Sequence, residues 1–122
     1  FTSIGSGLQN TIQIVNHHQS LNNYYTNPAI CNILNNGTLS SKTALGLSIN
    51  QEKDWFIPSA EEWEKIYLNL QPLDVIDFNN EVYWTSSESS ATSAFCYDTN
   101  QEDLITLDKN QNNVKTKAIR YF

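Results

Sequence analysis

One run of residues, DWFIPSAEEW at positions 54–63, predicts a strand, a corner and the start of a helix. The aromatic and branched residues 55–57 favour a buried strand, and Pro58 ends it because proline cannot donate a hydrogen bond to a neighbouring strand. Ser59 follows as a helix N-cap, and Glu62 stands three residues later, where it completes a capping box. The run therefore joins a strand to a helix through a sharp corner.

The helix that follows has one apolar face. Apolar side chains recur at i, i+3, i+4 and i+7, which is the spacing of an amphipathic helix: Trp63, Ile66, Tyr67 and Leu70. Pro72 ends this helix, since proline is not tolerated inside one. The sequence therefore predicts a helix over residues 60–70 that buries an aromatic stripe.

The first part of the chain shows two further helical patterns. A helix capped by Asn10 or Thr11 is predicted to end near residues 17–18. A second helix is predicted over residues 27–37, with proline at its first position and glycine at its end. Residues 38–53 have no sustained period and are predicted to be irregular.

The last part of the chain changes to short strands separated by turn residues. Four strands are predicted, over Val82–Ser87, Ser93–Asp98, Leu104–Leu107 and Val114–Phe122. Helices that come first and an antiparallel meander that comes last are typical of the α+β class. We therefore expect two or three helices packed on a small antiparallel sheet.

Composition limits the kinds of partner. The chain has 122 residues, so we expect a single domain over residues 1–122. Its net charge of −6 argues against nucleic acid as a partner, and no apolar run is long enough for membrane insertion. The two cysteines, Cys31 and Cys96, lack the close spacing of a metal or redox motif. They form either one disulfide or two buried thiols, and no cofactor or metal is expected.

Charged and aromatic residues give several structural expectations. Glu88 and Arg120 are expected to form an internal ion pair between the first and last strands, although a ligand-binding role is the alternative. The three tryptophans, Trp55, Trp63 and Trp84, are expected in the core rather than on a sugar-stacking platform, with at most one of them near a groove. The acidic residues between positions 98 and 108 suit solvated turns better than a calcium site.

Polar loops between the strands are the candidate ligand contacts. They are rich in serine, threonine, asparagine and glutamine, a composition that suits recognition surfaces as well as ordinary hydrophilic turns. Tyr97 is a candidate for stacking on the ligand. The candidate contacts are Ser89, Ser90, Thr92, Tyr97, Asn100, Gln101, Asn110 and Asn112.

The order of motifs resembles a known bacterial family. The motifs are Trp55-Phe56-Ile57-Pro58-Ser59 with Glu62, then Tyr83-Trp84-Thr85-Ser86-Ser87-Glu88, and finally Val114-Lys115-Thr116-Lys117-Ala118-Ile119-Arg120. Together they resemble the DUF1566 domain, also called the Lcl C-terminal domain, which is related to the C-type-lectin and formylglycine-generating-enzyme folds. The resemblance covers essentially the whole chain. The departures are the lack of an N-terminal β-hairpin, a longer irregular segment, and lysines in place of the usual arginines near Ala118.

This resemblance implies a C-type-lectin-like fold and a non-catalytic binding module. The module would recognise a glycan or a surface protein, outside the cell, on a bacterial surface or on a virion. In such folds the first and last strands pair, so we expect another segment or another chain to pair with residues 114–122. The alternatives are an assembly domain of a larger complex and a relative of the formylglycine-generating oxidases, which need two cooperating cysteines.

Overall fold

The computed structural model describes residues 1–20, 40–111 and 113–121. It contains helices and a three-stranded antiparallel sheet, so the predicted α+β class is confirmed. The elements are α1 (Gly7–Ser20), α2 (Ser40–Leu45), α3 (Ala60–Leu70), a 3-10 turn (Gln71–Leu73), β1 (Val82–Glu88), β2 (Ser93–Asp98) and β3 (Asp103–Asp108). The helix predicted over 27–37 lies outside the described residues. The short α2 falls in the segment that was predicted to be irregular.

The sheet is a meander in the order β1-β2-β3, as the strand pattern predicts. The pairing of β2 with β3 is regular along its whole length, from Ser93 opposite Asp108 to Asp98 opposite Asp103. The pairing of β1 with β2 shifts register between Trp84 and Glu88. Such an irregularity bends a strand and changes the direction of the side chains beside it.

The corner before α3 forms the predicted capping box. Ser59 Oγ accepts a hydrogen bond from Glu62 N at 3.4 Å, and Glu62 Oε2 accepts one from Ser59 N at 2.7 Å. The strand expected over 55–57 is reduced to a single bridge, between Phe56 and Ile119. Phe56 and Ile57 are nevertheless buried, so hydrophobic burial was predicted better than strand pairing.

The Glu62 side chain also collects donors from both ends of the described chain. Only 6% of the residue is exposed. Its Oε1 accepts a hydrogen bond from Gly5 N and another from the Tyr121 hydroxyl, each at 2.9 Å. Burial is the larger cause, and the hydrogen bond to Glu62 the smaller one, of a pKa for Tyr121 that is raised to about 12. One carboxylate thus connects the first loop, the start of α3 and the last segment.

An aromatic cluster fills the space between α3 and the sheet. The Trp63 ring stacks on Tyr83 with a centroid distance of 4.9 Å and on Tyr97 with one of 6.2 Å. Trp63 is buried as predicted. Trp55 and Trp84 are only half-buried, so the prediction that all three tryptophans are core residues is wrong for these two.

The first helix begins earlier than the sequence suggests. It begins at Gly7, so Asn10 and Thr11 lie inside it and do not cap it. Both side chains are buried and make tertiary contacts instead. Thr11 Oγ1 donates to Gly7 O at 2.8 Å and accepts from Ile57 N at 3.0 Å, which holds α1 against the corner before α3.

The last segment is not the continuous strand that was predicted over 114–122. It makes two isolated bridges within the chain, one parallel through Lys115 to Tyr83 and one antiparallel through Ile119 to Phe56. Lys115 N donates to Val82 O at 2.8 Å, and Ile119 N donates to Phe56 O at 2.9 Å. Because its two contacts are with different parts of the chain, the segment cannot run along either as a ladder.

Replacing Gly7 with alanine should destabilise the fold. The added Cβ would overlap Glu62 Oε2 and would lie 2.9 Å from Ile57 O, which is backbone and cannot move away. We expect a loss of about 1–3 kcal/mol in the free energy of unfolding, measured by urea denaturation. Gly46→Ala is the matched control, because the nearest atom to its Cβ would be 3.4 Å away. Equal stability of the two variants would contradict the close approach at Gly7.

Candidate functional site

The direction of the strands divides the predicted ligand contacts between two ends of the sheet. The β1–β2 turn and the residues after β3 lie together, since Lys109 N donates to Thr92 O at 2.9 Å. We call residues 89–92 and 109–111 the loop end. The β2–β3 turn lies at the opposite end, because successive antiparallel strands reverse direction. The loop end gathers four of the predicted contacts: Ser89, Ser90, Thr92 and Asn110.

Three of the other predicted contacts do not join them, and the position of the fourth is not described. Asn100 and Gln101 lie in the β2–β3 turn, where Asn100 Nδ2 donates to Asn80 O at 2.6 Å and so supports the turn. Tyr97 belongs to the aromatic core, with 1% of its surface exposed, so its prediction as a stacking residue is wrong. Burial raises the pKa of Tyr97 to about 12. Asn112 lies outside the described residues.

Hydrogen bonds within the turn define the loop end. Ser90 Oγ accepts from Thr92 N at 3.2 Å and from Ser93 N at 3.1 Å. Ser89 N and Ser90 N both donate to Ser93 O at 3.1 Å. Ser90 therefore shapes the turn, whereas the side chains of Ser89 and Asn110 are exposed. Serine commonly has this local role in turns.

The predicted ion pair between Glu88 and Arg120 is wrong. Arg120 Nη2 lies 2.7 Å from Glu52 Oε2, and Arg120 Nε lies 2.7 Å from Asp54 Oδ1. The bridge between Ile119 and Phe56 places Arg120 next to the segment before α3. Glu88 pairs with Lys109 instead, at 2.6 Å. Glu88 and Arg120 are both paired, but the position of the last segment determines which residue Arg120 pairs with.

The Lys109–Glu88 pair connects the strands at the loop end. Lys109 Nζ also donates to Ala91 O at 3.1 Å, so it links the end of β1 and the β1–β2 turn to the residue after β3. The side chains of Lys109 and Glu88 are 34% and 57% exposed. An exposed pair of this kind contributes little to stability and keeps donor and acceptor capacity for other molecules.

A cleft of about 130 Å³ lies next to this pair. It is formed by α1, the start of α2 and the second half of β1, and both Glu88 and Lys109 line it. Among the described residues, its apolar and polar walls include Ile14, His18, Ser40, Ile57, Trp84 and Ser86. The sequence did not predict this cleft, since its walls come from residues far apart in the chain. The run of hydroxyl residues 85–87 in a predicted strand was the available signal.

The hydroxyls of β1 have different environments. Thr85 Oγ1 donates to Phe95 O at 2.8 Å, and Ser87 Oγ donates to Phe1 O at 2.6 Å. Ser86 Oγ is buried and has no hydrogen-bond partner in the described part of the chain. Buried polar atoms are normally paired, because an unpaired one costs the free energy of its lost hydration. The hydroxyl of Ser86 is thus an unsatisfied polar group behind the wall of the cleft.

Two observations on the described residues concern metal and thiol chemistry. Within residues 1–20, 40–111 and 113–121, no three histidine, cysteine, aspartate or glutamate side chains are grouped to hold a metal ion. Cys96 is a fully buried free thiol, and burial raises its pKa to about 12. The thiolate is the reactive form of cysteine, so this position disfavours nucleophilic or redox chemistry. Cys31 lies outside the described residues.

None of the described helices has the length and hydrophobicity to cross a bilayer.

Cys96 should be unreactive in the folded protein. In a Cys31→Ser variant, Cys96 is the remaining thiol, and we expect Ellman's reagent to label it only after unfolding in urea. The reason is its complete burial and raised pKa. The measurement is labelling followed by absorbance across a urea series, with circular dichroism on the same samples. Rapid labelling of the native protein would contradict this environment and would strengthen the oxidase alternative.

The pairing of Arg120 should be visible in the titration of Asp54. The hydrogen bond from Arg120 lowers the pKa of Asp54 below its ordinary value. Because the folded-state pKa is the lower one, the pair stabilises the fold above the unfolded-state pKa, and this contribution is lost as pH falls through the folded-state pKa. In Arg120→Gln we expect the pKa of Asp54 to rise, measured by NMR titration. Lys109→Gln is the control and should leave it unchanged; a shift in the control alone would contradict the assignment.

Comparison with known proteins identifies no neighbour. No family model, no curated protein and no solved structure matches the chain. The resemblance to the DUF1566 family therefore rests on the sequence motifs alone.

Proposed function

We propose that this domain is a non-catalytic binding module that recognises a glycan or a surface protein through its loop end. With this function we propose a C-type-lectin-like fold of the DUF1566 type and a location outside the cell, on a cell surface or on a virion. The α+β architecture is compatible with that fold.

The observation that carries the proposal is that one ion pair, Glu88 with Lys109, joins the cleft to the loop end. Glu88 and Lys109 line the cleft and also hold the β1–β2 turn to the residue after β3. A ligand in the cleft would therefore be within reach of the exposed Ser89 and Asn110. Concave sites beside loops on a rigid sheet are common binding sites.

The chemistry of this region suits non-covalent recognition. Trp84 and Ile14 provide apolar surface, and the Glu88–Lys109 pair provides a hydrogen-bond acceptor and donor that are partly exposed. A mostly apolar wall with a few placed polar groups is typical of a ligand site. Cys96, the described cysteine, is buried and unsuited to the oxidase alternative.

A separate surface favours the assembly alternative. Three large apolar side chains are exposed at the end of α3 and just after it, namely Leu68, Leu73 and Val75. Exposed apolar side chains that lie close together mark protein interaction sites more often than isolated ones do. These residues lie in α3, in the 3-10 turn and just after it, whereas the cleft is lined mainly by residues of α1, α2 and β1. The two functions can therefore be separated by mutation.

Binding should depend on the loop end and not on the opposite turn. We expect the purified protein to bind a subset of an immobilised panel of glycans and surface proteins, with or without a chelator. Lys109→Ala should weaken that binding by about tenfold or more, because a hydrogen bond from a charged donor is lost. Gln101→Ala, at the opposite end of the sheet, is the matched control and should bind normally.

Other outcomes of this experiment identify the alternatives. Binding that is lost in Gln101→Ala but retained in Lys109→Ala would contradict the loop end as the site. Binding of a protein partner that is lost in Leu73→Ser and retained in Lys109→Ala would favour the assembly function. Loss of binding on chelation would contradict the expectation that no metal takes part.

A further inference from the structure

We infer that the cleft accepts one neutral, hydroxyl-bearing sugar ring, which forms hydrogen bonds with both members of the Glu88–Lys109 ion pair. This inference rests on the proposed function and specifies the ligand class of the same site. It follows from the size of the cleft, its charge balance and the hydrogen-bonding capacity of its walls.

The size of the cleft limits the ligand to a small group. Its volume is about 130 Å³. Sites for drug-sized ligands are typically about 300–1,000 Å³, so this cleft admits a single ring or end group and not an extended chain. A longer ligand would place its terminal unit in the cleft, and the rest of it would pass over the loop end.

The charge balance disfavours an acidic ligand. Lys109 is already neutralised by Glu88 at 2.6 Å, so the pair carries no net charge. The whole chain has a net charge of −6, which repels anions at long range. A carboxylated or phosphorylated ligand would bring a second negative charge next to Glu88, and a neutral one would not.

The hydrogen-bonding capacity of the pair matches hydroxyl groups. Lys109 has three donors, of which Glu88 and Ala91 take two. Glu88 is an acceptor, and its side chain is 57% exposed. A hydroxyl both donates and accepts, so two neighbouring hydroxyls can bond the ammonium and the carboxylate together. A ligand with only acceptors would bond Lys109 alone, and a ligand with only donors would bond Glu88 alone.

The remaining walls suit the rest of a sugar ring. Ile14, Ile57 and Trp84 line the cleft with apolar groups that can contact the C–H face of the ring. Ser86, whose Oγ has no partner among the described residues, lines the same cleft. A sugar ring with an apolar face complements the apolar wall, whereas Ser86 Oγ is too deeply buried to contact the ligand.

The test compares pairs of sugars that differ only in charge. The probes are methyl hexosides and the corresponding methyl hexuronides, titrated into the whole 122-residue chain with binding followed by NMR chemical shifts. We expect at least one neutral hexoside to bind, and to bind on the order of tenfold more tightly than its uronide. A uronide that binds more tightly to the unmodified protein would overturn the inference.

Two variants give opposite expectations. Lys109→Met should lower the affinity for the neutral sugar by about tenfold or more, since a charged donor is removed. Glu88→Gln should reverse the preference towards the uronide, because Lys109 then lacks its carboxylate partner. Lys65→Met changes an exposed lysine on α3 and is the control for the loss of one positive charge. Circular dichroism on all variants checks that the fold is retained, and an unchanged preference in Glu88→Gln would overturn the inference.

The failure of this inference can be told apart from failure of the proposed function. If no hexoside binds while a surface protein binds and requires Lys109, the sugar inference is wrong and the binding module stands. If neither sugars nor proteins bind in a way that depends on Lys109, both are wrong.

Discussion

The buried carboxylate of Glu62 is the contact on which the rest of the structure depends. It accepts hydrogen bonds from the backbone of Ser59 and Gly5 and from the hydroxyl of Tyr121. A buried carboxylate is costly unless such donors surround it, so the positions of these segments are coupled. Gly7 packs against the same side chain and leaves no room for a Cβ. The capping box is therefore more than a local helix signal, since it holds the first loop and the last segment in place.

The elements that could be predicted from the sequence are those that local interactions determine. Ser59 and Glu62 satisfy the first turn of α3 by themselves, and the spacing of Trp63 and Tyr67 decides which face of that helix is buried. The three strands were also predicted closely, because turn residues separate them and alternating side chains define their faces. Short-range signals of this kind do not depend on the positions of distant segments.

The ion pairs and the site could not be predicted, because they depend on the arrangement of distant segments. Arg120 has Asp54 as its partner only because residue 119 forms a bridge to Phe56. The polar loops look alike in composition, but alternate turns of a meander lie at opposite ends of the sheet, which separates Gln101 from Asn110. The cleft brings together helices and a strand that no single motif contains. The composition of the loops indicates which residues face solvent. The topology of the sheet determines which of these residues lie close together.

The Glu62 contacts have a consequence for the order of folding. Its partners Gly5 and Tyr121 are separated from it by 57 and 59 residues in opposite directions along the chain. Contacts between residues so far apart form slowly, since a long loop must close before each one is gained. During synthesis α3 can begin to form early, but its carboxylate receives its last donor only when Tyr121 has emerged. The last segment therefore closes onto Glu62 only after α3 and the sheet have been synthesised.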